Sequence, residues 1–158
     1  MTTNNAHILP QRCREENIEA VKNILAEGQH GLVNESNIFG LTPLYIASSK
    51  GHLEMVKILI ASRGVVDQGD KYGSTPLYIA SCNGHLEIVK VLIDAGALLD
   101  KANKHDKTPL HIAICYGPLE TVQIVQVLIA SGALLDKADI NGETPLYRAI
   151  FICHFEIV

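Results

Sequence analysis

Cysteine and histidine offer the most chemistry in this sequence. Cys82 and His85 stand in a Cys-x-x-His spacing, and Cys115 repeats Cys82 thirty-three residues later. A thiolate and an imidazole so placed are metal ligands or, with a third orienting group, a nucleophile and its base. The metal reading lacks a third and a fourth ligand. His52 holds the same place as His85 with Ser49 where the cysteine would be, so the histidine belongs to a repeated pattern rather than to a ligand set. Equivalent positions on neighbouring helices lie about 8–10 Å apart, beyond the ~7 Å reach of a disulfide. His111, four residues before Cys115, is the nearest base, yet it stands where Tyr45, Tyr78 and Tyr147 stand. A residue interchangeable with tyrosine is expected to bridge helix and loop. No glycine-rich phosphate loop, HExxH or Gly-x-Ser-x-Gly occurs. The expectation is a chain with no catalytic residue, no metal and no cofactor.

The pattern that absorbs these residues is a repeat. Thr42-Pro43-Leu44-Tyr45-Ile46-Ala47 returns at Thr75-Pro76-Leu77-Tyr78-Ile79-Ala80, at Thr108-Pro109-Leu110-His111-Ile112-Ala113 and at Thr144-Pro145-Leu146-Tyr147-Arg148-Ala149, with spacings of 33, 33 and 36. A second block follows in phase: Gly51-His52-Leu53-Glu54, Gly84-His85-Leu86-Glu87, Gly117-Pro118-Leu119-Glu120 and a degenerate Cys153-His154-Phe155-Glu156.

Each block has a mechanical meaning. Threonine before proline supplies an N-cap hydroxyl and a first helical residue that needs no N–H, so a short helix starts after Thr42, Thr75, Thr108 and Thr144. Glycine then breaks it. The stretch Leu86–Ile93 is apolar around most of its circumference, as befits a helix between neighbours. Glu54 with Lys57 and Glu87 with Lys90 can pair across one turn. Gly96 and Gly132 supply left-handed caps, and Asp70 to Gly73 and Asp139 to Gly142 have the composition of β-turns. Asp67, Asp100 and Asp136 end matching loops as turn-stabilising acceptors.

This unit of turn, short helix, break, longer helix and return loop resembles the ankyrin repeat over residues 37 to 158. The resemblance implies an all-α fold, a solenoid of paired antiparallel helices with β-turn loops, each unit burying its apolar faces against the next. Residues 1–36 form an N-terminal arm and a capping half-repeat, whose helix Asn17 to Leu25 matches His52 to Ile60. Repeats then span 37–69, 70–102 and 103–138, with a partial fourth at 139–158. The third carries three extra residues, aligned within Thr121 to Val127, which predict a longer helix over Pro118 to Ser131. Arg63 stands where Gly96 and Gly132 close their helices, so its cap is shifted or strained. The apolar Phe151, Ile152, Phe155, Ile157 and Val158 read as an interior repeat cut short, with the expectation that the native chain continues.

The resemblance also implies a non-catalytic scaffold that binds a partner protein on its concave face. Carried over by position, that face comprises Ile38, Phe39, Leu41 and Lys50 from the first unit, Lys71, Tyr72 and Asn83 from the second, and Lys104, His105, Lys107 and Tyr116 from the third. Ser49, Ser74, Cys82, Cys115, Ile140, Asn141, Glu143, Phe151 and Ile152 lie at matching positions. These residues differ between units while the framework holds. Ile38, Phe39 and Leu41 group apolar side chains where other tips carry lysine or asparagine, which makes them anchor candidates beside Tyr72 and His105. Lys71, Lys104 and Lys107 are able to receive acidic side chains. The alternative function is the targeting or regulatory part of a larger protein with an effector or enzyme domain C-terminal to Val158.

Composition agrees. With 158 residues, 47% apolar and 19% charged, the chain suits one folded domain rather than a disordered one. A net charge of −4 with no basic stripe argues against nucleic acid. No apolar run approaches a membrane span or a signal peptide, which leads to an expectation of a cytoplasmic monomer with reduced thiols, a nuclear location not being excluded.

Overall fold

The computed structural model describes residues 8–27, 30–116 and 121–155, with side chains described except at 30, 116 and 152–155. Among the described residues the elements are α1 (Ile8–Arg14), α2 (Ile18–Ala26), a 3-10 turn (His30–Asn34), α3 (Pro43–Lys50), α4 (Leu53–Ala61), α5 (Pro76–Cys82), α6 (Leu86–Asp94), α7 (Pro109–Tyr116), α8 (Val122–Ala130) and α9 (Pro145–Phe155). Odd-numbered helices pack side by side in one row and even-numbered helices in a second, with α1 on α2, α3 on α4, α5 on α6 and α7 on α8. The result is an all-α solenoid.

The threonine caps form as the sequence requires. Thr42, Thr75 and Thr144 each accept a backbone N–H three residues on, from Tyr45, Tyr78 and Tyr147, at 3.1 Å, and Thr108 accepts that of His111 at 3.4 Å. Behind the caps, Leu44, Leu77 and Leu110 are buried in the first row, and Leu59, Leu92 and Leu128 in the second. Each such side chain contributes roughly 1.5–3 kcal/mol when buried, and a single core runs through all units rather than one core per unit. The Glu54–Lys57 and Glu87–Lys90 pairs close at 2.7 Å.

Four expectations need correction. First, the N-terminal segment is a complete helix pair: α1 precedes α2, packs on α3, and buries Leu9 and Cys13. Without a Thr-Pro block, α1 gives little sign of itself.

Second, the described part of α8 does not carry the insertion. It has nine residues like α4 and α6, and Ile124 and Leu128 are buried like Ile88 and Leu92 thirty-six residues before them. The added residues therefore do not lie within Val122–Ala130, and the expected start at Pro118 lies outside the described residues. Three residues inside the helix would turn its apolar face by about 60°, which would carry Ile124 and Leu128 off the core.

Third, α9 does not break. Cys153 stands where Gly51 and Gly84 turn into the left-handed region (φ 80° and 79°), and without glycine the helix runs on to Phe155.

Fourth, Asp67 and Asp100 do not close their own turns but join units. Asp67 accepts the N–H of Leu98 at 3.1 Å and Asp100 that of Leu134 at 2.9 Å, while Asn34 does the same for Val65 at 2.6 Å. Arg63 resolves its alternatives in favour of strain: it keeps the cap position and takes φ 68°.

Candidate functional site

The turn tips are built from one repeated device. An Asn or Asp side chain accepts the N–H groups two and four residues ahead: Asn37 from Phe39 and Leu41, Asp70 from Tyr72 and Ser74, Asn103 from His105 and Lys107, Asp139 from Asn141 and Glu143, all at 2.8–3.1 Å. Neighbouring tips are then tied by backbone. Lys71 N donates to Phe39 O at 3.2 Å, Lys104 N to Tyr72 O at 2.8 Å and Ile140 N to His105 O at 3.1 Å. The approach is close enough that a Cβ on Gly40 would lie 2.8 Å from Lys71 N. Side chains on the tips are thus carried on a fixed, hydrogen-bonded edge.

Burial makes the Asp139 carboxyl harder to ionise, but the Glu143 and Asn141 N–H groups and the Lys107 ammonium outweigh that effect and hold it below the ordinary carboxylate range.

Of the residues expected on this surface, Ile38 is 81% exposed, and Phe39, Lys50, Lys71, Tyr72, Lys104 and His105 are also exposed. The Lys71 ammonium stands 5.3 Å from the Phe39 ring centroid and 4.9 Å from that of Tyr72. Three placements differ from expectation. Leu41 is half-buried against the core and Ser74 is buried, because both follow the tip and point inward with the threonine cap. Lys107 keeps only 21% of its side chain exposed and lies 4.0 Å from Asp139. Asn83 is exposed, but its amide donates to the Ser49 carbonyl at 2.8 Å, a bond between units. The side chain of Tyr116 lies outside the described residues.

Sequence reasoning missed a recess of about 500 Å³ lined by Tyr78, Cys82, His105, Lys107, Ile112 and Ile140 among others. Tyr78 and Ile112 sit inside the Thr-Pro blocks of the repeat, so nothing in their pattern marked them.

The histidines and cysteines serve the stack. His111 Nδ1 accepts the Thr108 N–H at 3.2 Å, which leaves Nε2 to donate to Glu143 O at 3.1 Å in the next unit, the helix-to-loop bridge expected of it. Tyr45 fills the same position with its hydroxyl 3.5 Å from Asp70, and burial, reinforced by that carboxylate, makes it harder to ionise. Cys13, Cys82 and Cys115 are free thiols. Burial pushes Cys13 up to about 12 and Cys82 upward. Arg148 Nε donates to Cys115 Sγ at 3.2 Å. Among the described residues, no three His, Cys, Asp or Glu side chains gather as a metal site, and no helix is long and apolar enough to cross a membrane.

Comparison with known families agrees with this geometry. The profile described as Ankyrin repeats (3 copies) matches residues 11–103, 65–134 and 97–158. The chain belongs to the ankyrin-repeat family, whose members generally mediate protein–protein interaction. A search of curated proteins gives no match to the chain.

Proposed function

We propose that this chain is a non-catalytic scaffold that binds a partner protein along its row of turn tips, on the concave face of the solenoid, as a monomer in the cytoplasm. The observation that carries the reading is the backbone ladder Phe39–Lys71, Tyr72–Lys104 and His105–Ile140, which fixes exposed, unlike side chains side by side. A surface already ordered loses little conformational freedom on association. Proposed contacts are Ile38, Phe39, Lys50, Lys71, Tyr72, Lys104 and His105, with Asn83, Lys107 and Tyr116 at the border and Leu41 anchoring the tip to the core. The test is partner capture by the wild-type chain and by the Phe39→Ala, Tyr72→Ala double variant, compared with Val122→Ala on the outer row, that of the even-numbered helices. Loss of the captured protein in the tip variant alone supports the site; equal capture by all three discards it.

A second reading is favoured by α9. Leu110 and His111 are buried beneath the next unit, whereas their counterparts Leu146 and Tyr147 are each 53% exposed, and Ile150 and Phe151 are exposed beside them. Such a face suits a further repeat or domain, as in a targeting or regulatory part of a larger protein. Immunodetection of the endogenous gene product decides it: a mass well above that of this chain supports the reading, and an equal mass removes it.

A further inference from the structure

The tips are not neutral in what they leave for a partner. Asp70 has its carboxylate engaged by Tyr72 N and Ser74 N. That of Asp139 is engaged by Asn141 N and Glu143 N, with 1% of its side chain exposed. Glu143 pairs with Arg148 at 3.3 Å. In the first and third units the same acceptor is an uncharged asparagine, Asn37 or Asn103. Three lysines are not so engaged. Lys50, Lys71 and Lys104 are exposed, and none of the three has a carboxylate partner among the described residues, while Asp106 is the exposed acid of the tips.

We infer that the partner segment held against the tips is acidic and extended, with carboxylates interleaved between apolar side chains; this rests on the tip row being the binding face. Carboxylates meet Lys71 and Lys104. Apolar side chains meet Ile38, Phe39 and Tyr72 at one end and enter the recess over Ile112 and Ile140 at the other. Lys71 is prepared for this role, because the rings of Phe39 and Tyr72 flank its ammonium and restrict rotamers that a free lysine would lose on binding. Nucleic acid is the other polyanion such cations attract, but it needs an unbroken basic track, and these lysines are separated by apolar groups on a chain of net charge −4.

The test is fluorescence anisotropy of the full chain with short fluorescein-labelled peptides in which Glu alternates with Leu and Phe, with the same peptide carrying Lys or Gln for Glu, and with a single-stranded oligothymidylate. The Glu peptide is expected to bind best and to weaken with added salt. Lys71→Glu with Lys104→Glu is expected to weaken it by about tenfold or more, while the matched change on the outer row, Lys22→Glu with Lys57→Glu, leaves it unaltered. If the reversal variant does not melt like wild type, Lys71→Gln with Lys104→Gln replaces it. Equal binding of the Lys or Gln peptide, tighter binding of the oligonucleotide, indifference to the tip variants, or no binding by any peptide overturns the inference. A captured partner that survives the lysine reversals but not Phe39→Ala with Tyr72→Ala keeps the interaction face and removes only its acidic preference.

Discussion

His85 Nε2 lies 3.2 Å from the carbonyl oxygen of Ser49 in the preceding unit. The ring reaches it over the bare Cα of Gly51, where a Cβ would sit 2.8 Å from the imidazole. One unit earlier, Glu16 holds the place of Gly51, ahead of α2 as Gly51 is ahead of α4, and takes φ 55°. His52 there has Nδ1 3.3 Å from the Glu16 carboxylate, and its buried Nε2 has no hydrogen-bond partner among the described residues. The glycine and the histidine of the second block therefore work as a pair, and the first junction has lost one of them.

Two substitutions test that pairing. Gly51→Ala adds a Cβ in a left-handed backbone and against a ring, and is expected to destabilise by about 1–3 kcal/mol. Glu16→Gly removes left-handed strain and the side chain that stands in the way, at the loss of a half-exposed ion pair, for a net gain of about 1 kcal/mol. Urea unfolding of each variant checks both signs.

Arg63 and Gly96 occupy equivalent caps with φ 68° and 85°. Nothing lies within 4 Å of a Cβ built on Gly96, so Gly96→Ala measures the backbone term alone. It is expected to lower stability by about 1 kcal/mol, and Arg63→Gly to raise it by about the same. The Asn34 Nδ2 bond to the Arg63 carbonyl at 3.2 Å is independent of side chain and survives the change.

Asp139 gives the tips an acid dependence. Its carboxyl is held below the ordinary value. The stability it contributes is therefore complete above the unfolded value near pH 4 and is lost as pH falls through the depressed one. Asp139→Asn is expected to lower stability at neutral pH by about 1 kcal/mol and to flatten the decline below pH 4. Thermal melts across that range against wild type show whether the two curves converge in acid, as the account requires.

Cys13 is buried in α1 with its thiol raised to about 12. Alkylation under native conditions, read by mass spectrometry, is expected to spare it and to label it once α1 is released by denaturant. Labelling of Cys13 in the native chain at the rate of a free thiol would contradict the packing of α1 on α3.

Much of the fold was legible because the repeat prints its own mechanics. Threonine, proline, glycine and the tip Asn or Asp each satisfy a backbone group where they stand, so Thr42, Gly51 and Asp70 announce their geometry locally. What was not legible depends on partners distant in sequence. Asp67 and Asp100 look like turn acceptors until the next unit arrives with Leu98 and Leu134. Leu41 looks exposed by its place on a tip, yet the core claims it. The insertion is misplaced by sequence because Val122-Gln123-Ile124 and Val125-Gln126-Val127 look like tandem copies, when burial of Ile124 and Leu128 shows that the helix aligns without a gap. The recess lined by Ile140 draws on Tyr78 and Ile112, two residues of the Thr-Pro blocks of different units.

The most direct measurement is a lysine footprint of the chain bound to its captured partner, by acylation and mass spectrometry. Lys71 and Lys104 are expected to be protected in the complex, while Lys22, Lys57 and Lys90 on the outer row label as in the free chain. Protection of the outer-row lysines with Lys71 and Lys104 still open would contradict binding at the tips.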